Sequence, residues 1–548
     1  GGGEAEQPLL EDNWGAVPNL DVFFANMYQY FYSKGLRTII AKEVANLIIL
    51  TFTVLFSTFL MAFVDWSALL ACHDEDSCLP LSQYIHARAL RKPTLFHALA
   101  WTYCVVFLAY GAWCLLSLWT HVRDMRDMQH LYTTRLGISP ADLHTIQWSE
   151  VVRRFLVLQN TGRYRVAIHS GKVTAHDIAS RIMRKENYLI ALVNKGILQL
   201  ALPLPFLGAQ GFGTPGARTS QQFLTKSLEW SVHLCVLNHM FSQKFTIRQA
   251  FLSEEGVLAL KLRFFLVGLA HVMLLPFLLL FMIMFFFLKN AQEWHSSRNY
   301  LGPREWSPLA LWTFREFNEL QHIFEGRMEL SYAHANDYLR RFPKPVIVAA
   351  MRTVRFVSGA LVGVLLALTV LQESILLHVS LWDRNLLWYA GVLSAVYAFS
   401  RGAVLTTQGT DGAGNYVVDN VNGAGGRGGT IEGIVAQMAA HTHYLPEHWR
   451  GNTHTAAVRE ELMGMFRYKA QLFVQELAAL VFAPLILCFS LPGCAEDIVK
   501  FVAGHSVDID GVGSVCDYSL FDFGRYGDQD YAAPEYTPAG TWPTPCTP

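Results

Sequence analysis

The sequence predicts an all-α, polytopic membrane protein, and three observations carry the prediction. Of 548 residues, 52% are apolar and only 16% are charged, whereas soluble domains carry about 25% charge. Long uncharged runs recur, among them Val44–Val64 with 21 residues and Phe264–Leu288 with 25. About 20 helical residues, rising 1.5 Å each, cross the roughly 30 Å hydrocarbon core of a bilayer. Basic residues then gather between the runs in a pattern that sets orientation, because basic segments beside membrane helices stay cytoplasmic.

The chain opens with a polar segment and entry helix, 1–43, in which Phe23, Phe24, Met27, Tyr28 and Phe31 recur at helical spacing. Leu9 and Leu10 behind Glu4 and Glu6 read as a chance likeness to an acidic-dileucine signal. The first residue is not Met, so the native start is expected to be missing. A first hairpin over 44–122 holds the spans Val44–Val64 and Pro93–Val122. The loop between them carries Cys72 and Cys78, either a disulfide facing an oxidising lumen or two free thiols.

The block 123–257 has sixteen Lys and Arg against nine Asp and Glu, which places it and the N-terminus in the cytoplasm. Segment 258–348 begins with the Phe264–Leu288 run. Pro276 at its middle removes a backbone donor, and basic residues flank it on both sides, so the run is expected to break there and return to the same face. A second hairpin, 349–401, holds the spans Phe356–Gln372 and Asn385–Ser400. Gly359 and Gly363 in the first of these have the spacing that lets helices approach closely.

A Gly-rich flexible loop occupies 402–440. It lacks the Gly-Lys-Ser/Thr ending of a phosphate loop and reads as spacer. Segment 441–520 contains a second apolar run, Leu477–Ala495, with Pro484 and Pro492. That run is either a crossing or a second re-entrant element. Six crossings would put eight basic residues of 289–348 and six of 401–476 in the lumen, so four crossings fit the charges. The tail 521–548 is Pro- and Thr-rich and is expected to be disordered.

The net charge of −1 argues against a nucleic-acid binder. No GxSxG, HExxH or Walker sequence occurs, so an enzyme reading has no chemical foothold, and no cofactor is expected. His441, His443, His448 and His454 match no zinc spacing and read as hydrogen-bonded structural histidines. What remains is charge at membrane-entry depth: Lys261, Arg263, Lys289, Arg352, Arg355, Arg401, Lys469 and Glu476. A charge facing lipid at mid-bilayer costs at least ~2.5–3.5 kcal/mol. Lys261, Arg263, Lys289 and Lys469 read as snorkelling to the interface, whereas Arg352, Arg355, Arg401 and Glu476 read as lining a polar cavity.

Six blocks carry a family resemblance: NWGAVPNLDVFF (13–24), RIMRKENYLIALVNKGIL (181–198), REFNELQH (315–322), HTHYLPEHWRGNTH (441–454), MFRYKAQLFVQELAALVFAPLIL (465–487) and VDIDGVGSVCDYS (507–519). With them the chain closely resembles the autophagy-related protein 9 family of autophagic lipid scramblases. The resemblance implies a domain-swapped homotrimer with four transmembrane and two re-entrant helices per protomer. It also implies a branched central pore and movement of phospholipids between leaflets without ATP, in support of autophagosome formation. Implied partners are the lipid-transfer protein autophagy-related protein 2 and the early autophagy kinase machinery. The implied location is Golgi-derived and endosomal vesicles and the preautophagosomal membrane, with both termini cytosolic. Lys289 and Arg401 fall on basic positions of the family's pore, and with Arg352, Arg355 and Glu476 they form the expected lipid path. Competing readings are an anion-selective channel with the same basic cavity, or a structural vesicle scaffold that recruits lipid-transfer proteins.

Overall fold

The computed structural model describes residues 19–71, 80–85, 95–160, 173–198, 200, 224–296, 303–342, 345–372, 376, 379–381, 384–407 and 430–520. The acidic-dileucine text, Cys72 and Cys78, the centre of the Gly-rich loop and the tail 521–548 lie outside them.

Helix α1 (Leu20–Tyr32) starts where the Asn19 side chain accepts the Val22 N–H at 2.9 Å, a standard N-cap. It ends earlier than the entry helix expected through Lys42. Lys34 and Gly35 take positive φ values of 59° and 101° and turn the chain into α2 (Leu36–Ala62). That helix and α3 (Leu95–His130) form the first hairpin. Then come α4 (Ala175–Ile182), opened by a reciprocal Thr174–Asp177 capping box, α5 (Arg184–Asn194) and α6 (Lys226–Val232).

Helix α7 (Glu254–Ser296) holds 43 residues, about 65 Å of rise. The break expected at Pro276 does not form, because the helix runs through the proline. One lost donor is tolerated where the alternative is to expose several more backbone groups to hydrocarbon. After α7 come β1 (Arg304–Trp306), α8 (Pro308–Phe314) and α9 (Gln321–Arg340). The second hairpin pairs α10 (Pro345–Leu371) with α11 (Leu386–Thr407) across β2 (Ser380–Leu381) and β3 (Arg384–Asn385).

Helices α12 (Ile431–Thr442) and α13 (Ala456–Met465) lead into β4 (Phe466–Tyr468) and α14 (Lys469–Leu485). Helix α14 passes through Pro484 and continues as π- and 3₁₀-turns into α15 (Ala495–Gly504). The hairpin β5 (Ser506–Ile509) and β6 (Gly513–Cys516) closes the described chain. The fold is mostly helical, as expected, with three short antiparallel strand pairs among the described residues, β1–β4, β2–β3 and β5–β6. Each is too short to have registered as a strand in the sequence pattern.

Three apolar cores organise these elements. One gathers α5, α6, the start of α7 and the 486–502 segment around Tyr188, Leu228, Phe264 and Ile498. A second packs α1 on the end of α3 and on Trp148–Asn160. The third joins α8, α9, α12 and Trp449. Among the described residues, five helical stretches are long and apolar enough to cross a membrane: Leu36–Ala62, Leu95–Arg135, Glu254–Lys289, Ala349–Leu371 and Lys469–Gly504, with Leu386–Ser400 shorter.

Candidate lipid path and polar junction

The blocks singled out in the sequence meet at a buried polar junction. Asp21 at the start of α1 accepts Arg181 at 3.1 Å and Arg184 Nε at 2.6 Å. Both guanidiniums also donate to β5–β6 turn carbonyls, Arg181 to Gly511 and Arg184 to Val512 at 2.7 Å and to Ser514. Next along α5, Glu186 pairs with Arg315 at 2.5 Å. Asn187 bonds Asn318, which donates onward to the Ser519 carbonyl at 2.7 Å. Glu319 pairs with Arg327 at 2.7 Å, and Arg327 also holds the His441 and Phe314 carbonyls. Buried charges survive only when paired and hydrogen-bonded, and here each arginine has several acceptors.

Of the four histidines, His443 and His448 fit the hydrogen-bonded structural reading. His443 bonds Glu316, His448 bonds Glu461 at 2.8 Å, and His441 stacks on His334 at 5.5 Å. His322 sits against Tyr28 and Phe31. Burial first, then the Lys34 charge, holds it down at about 4, so it is neutral at neutral pH and shares a 2.9 Å bond with the Tyr28 hydroxyl.

The expected lipid-path residues fall in two places. In the second hairpin, a Cβ on Gly359 would lie 3.0 Å from the Tyr397 ring, whereas Gly363 has open space. Antiparallel pairing then sets Arg355 and Arg401 at one level, one turn beyond that contact, with Arg352 a further turn out. Arg352 is exposed and Arg355 half-buried; the Arg401 side chain lies outside the described residues. The other two sit on the α7–α14 pair, which is antiparallel because Phe286 stacks on Phe473 at 3.5 Å while Gly268 faces Cys488. Lys289 is exposed over the Phe285 ring at 5.6 Å. Glu476 is half-buried against the Lys226 backbone N–H and near Glu229. In one chain, α10 and α11 pack chiefly on each other, so the arginine group stays apart from Lys289 and Glu476.

Sequence reasoning missed a polar track inside the first hairpin. Thr53, Ser57 and Thr58 are buried on α2, and Ser57 shares a 2.9 Å hydrogen bond with the Tyr103 hydroxyl of α3. Ser57 and Thr58 also bond carbonyls one turn back. The four- and five-residue spacing of these hydroxyls in an uncharged run was the available signal. His271 in the Phe264–Leu288 run was also passed over, since it carries no formal charge; its Nδ1 lies 2.9 Å from the Val267 carbonyl.

Long apolar helices joined to compact apolar-cored units and a polar junction define an integral, polytopic, helical membrane protein. The chain belongs to the Autophagy protein ATG9 family, whose sequence profile matches residues 12–522. It is 34% identical over 546 residues to autophagy-related protein 9 of Arabidopsis thaliana, covering 97% of this chain and 60% of that one. The autophagy-related protein 9 of Aspergillus fumigatus is 33% identical over 528 residues, covering 93% and 51%. The cryo-EM structure of Schizosaccharomyces pombe Atg9 superposes with a TM-score of 0.64 at 27% identity, covering 92% of this chain and 99% of that chain. The chain spans 60% and 51% of the length of these two curated relatives.

Proposed function

We propose that this protein is an ATP-independent phospholipid scramblase that supports autophagosome membrane formation and expansion, and that it acts without covalent catalysis. The observation that carries the reading is the second hairpin, whose pairing puts Arg352, Arg355 and Arg401 near one end of two uncharged spans. Guanidinium forks bind phosphate through paired, charge-assisted hydrogen bonds. A head group entering there would keep its polar contacts while its acyl tails stay in lipid.

The proposed topology has four crossings and two further apolar elements, α7 and the run from α14 into α15. Each lies obliquely along one face of the membrane, so that unbroken α7 begins and ends on the same side. Support comes from polar contacts joining the flanks of each element. Tyr132 after the first hairpin donates to the Met27 carbonyl before it at 2.8 Å. Helices α9 and α12, on either side of the second hairpin, share one core. Trp312 after α7 donates to Glu229 before it at 3.0 Å. The strand β4 before α14 pairs with β1, while β5–β6 after it is bonded to Arg184. Folded polar flanks cannot meet across hydrocarbon, so each element starts and ends on one face, read as cytosolic from its basic charge.

We further propose a domain-swapped homotrimer, in which the α10–α11 hairpin, little packed within its own chain, inserts beside another copy. Such a trimer would bring the arginines toward Lys289 and Glu476 of neighbouring copies to complete the lipid path. The proposed partners are autophagy-related protein 2 and the early autophagy kinase machinery, on Golgi-derived and endosomal vesicles and the preautophagosomal membrane. Reconstitution into liposomes with fluorescent lipids, alongside an ion-flux assay and with no ATP, tests the function. Lipid movement without ion flux is expected; ion flux alone would make the protein a channel, and neither would leave only a scaffold.

A further inference from the structure

A second cationic group lies outside the path described above, where α5 and α7 meet the segment after α6. Helix α6 passes into a π-helical turn, His233–Leu237, followed by Asn238–Met240; such turns often mark functional sites. Lys185 from α5 donates to the Asn238 side chain at 2.9 Å. Arg248 folds back through its Nε to the Phe241 carbonyl at 2.6 Å. Arg263 from α7, half-buried, lies close enough to His239 and Cys235 to act on both electrostatically. None of Lys185, His233, His239, Arg248 and Arg263 forms an ion pair among the described residues.

The electrostatics follow from this crowding. Burial and then Lys185 lower His233, while burial and then Arg263 and Arg248 lower His239. The acid whose field reaches Lys185 is Asp21, which is already held by Arg181 and Arg184. Three charged groups, Lys185, Arg248 and Arg263, stand here without an ion pair among the described residues. An anion joining them offsets their repulsion and favours protonation of His233 and His239 beside them.

Arg263 also adjoins an exposed apolar stripe. Leu258, Leu262, Phe265, Leu266 and Leu269 of α7 are all exposed, and the uncharged run begins one residue later at Phe264. A cation beside lipid-facing leucines sits at head-group depth.

We propose that Lys185, His233, His239, Arg248 and Arg263 form a binding site for the phosphate of an anionic membrane lipid head group, separate from the translocation path. The site anchors this end of α7 to the membrane surface. It does not depend on whether the protein scrambles lipids, since binding is read without transport.

The test uses the purified full chain in detergent and two probes, dioctanoyl phosphatidylinositol 4-phosphate and its deacylated head group, glycerophosphoinositol 4-phosphate. The lipid is expected to bind the native chain, and R263Q/H239Q to weaken that binding about tenfold or more. R263K should retain most of the affinity because the charge persists, and K244Q, at an exposed lysine outside the cluster, should match the native chain. The native trimer size, or whatever oligomer the native chain shows, is checked in each variant. Equal affinity for the deacylated probe would overturn the lipid assignment and leave a free-phosphate site. Tighter binding of a phosphoserine peptide, or unchanged lipid affinity in a well-folded R263Q/H239Q chain, would overturn the proposal.

Discussion

Asp21 faces two guanidiniums whose side chains are only 6% and 3% exposed, so its removal leaves two buried cations short of an acceptor. Breaking a buried pair from one side costs about 3–5 kcal/mol. D21A should therefore lower the thermal midpoint of the purified protein markedly, with D21N intermediate because the amide oxygen still accepts. An unchanged midpoint in D21A would mean that the turn carbonyls alone satisfy Arg181 and Arg184. At this scale the sequence was partly legible. The Arg181–Glu186 cluster and REFNEL announced themselves as blocks, but several of their partners, such as Asp21 for Arg181 and Arg184 and Arg315 for Glu186, lie more than a hundred residues away and carry no local signal. The hydroxyls of Thr53, Ser57 and Thr58 carry a periodic signal in the sequence, but an uncharged one, which hydropathy and charge patterns do not register.

At the scale of elements, the apolar runs were legible in place, since hydrocarbon thickness dictates an uncharged core, but not in length, because the helices extend past the apolar text into polar flanks, as α7 does over 43 residues. The conformation of Phe264–Leu288 was not. Pro276 reads as a breaker in water, yet an apolar helix keeps its course where unsatisfied backbone has no solvent. Short strands such as Arg304–Trp306 were invisible because each exists only through its partner, Phe466–Tyr468. The glycine pair divides cleanly. G359L would drive a side chain into Tyr397 and force α10 from α11, at about 1–3 kcal/mol for overpacking. G363L meets nothing within 4 Å in this chain and should be tolerated in the monomer. Thermal midpoints of the two single variants in detergent check this; equal loss would show that Gly363 meets a neighbouring copy.

For the whole molecule, topology and transport are the claims at stake. If α7 begins and ends on one face, single cysteines at Glu254 and Glu329, both exposed, should react with an impermeant reagent applied from the cytosolic side. Labelling of position 329 only from the opposite side would contradict the four-crossing arrangement. The family was legible from six blocks spread along the chain, whereas the assembly was not, because one chain leaves its arginine group apart from Lys289 and Glu476. The measurement closest to the central claim is dithionite quenching of labelled phospholipid in proteoliposomes, comparing the native chain with R352L/R355L/R401L. The native protein should expose inner-leaflet label to the quencher without ATP. The triple variant, with its oligomer size intact, should do so about tenfold or more slowly, since each charge-assisted hydrogen bond contributes about 1.5–3 kcal/mol. Native-like kinetics in a well-assembled triple variant would contradict the account.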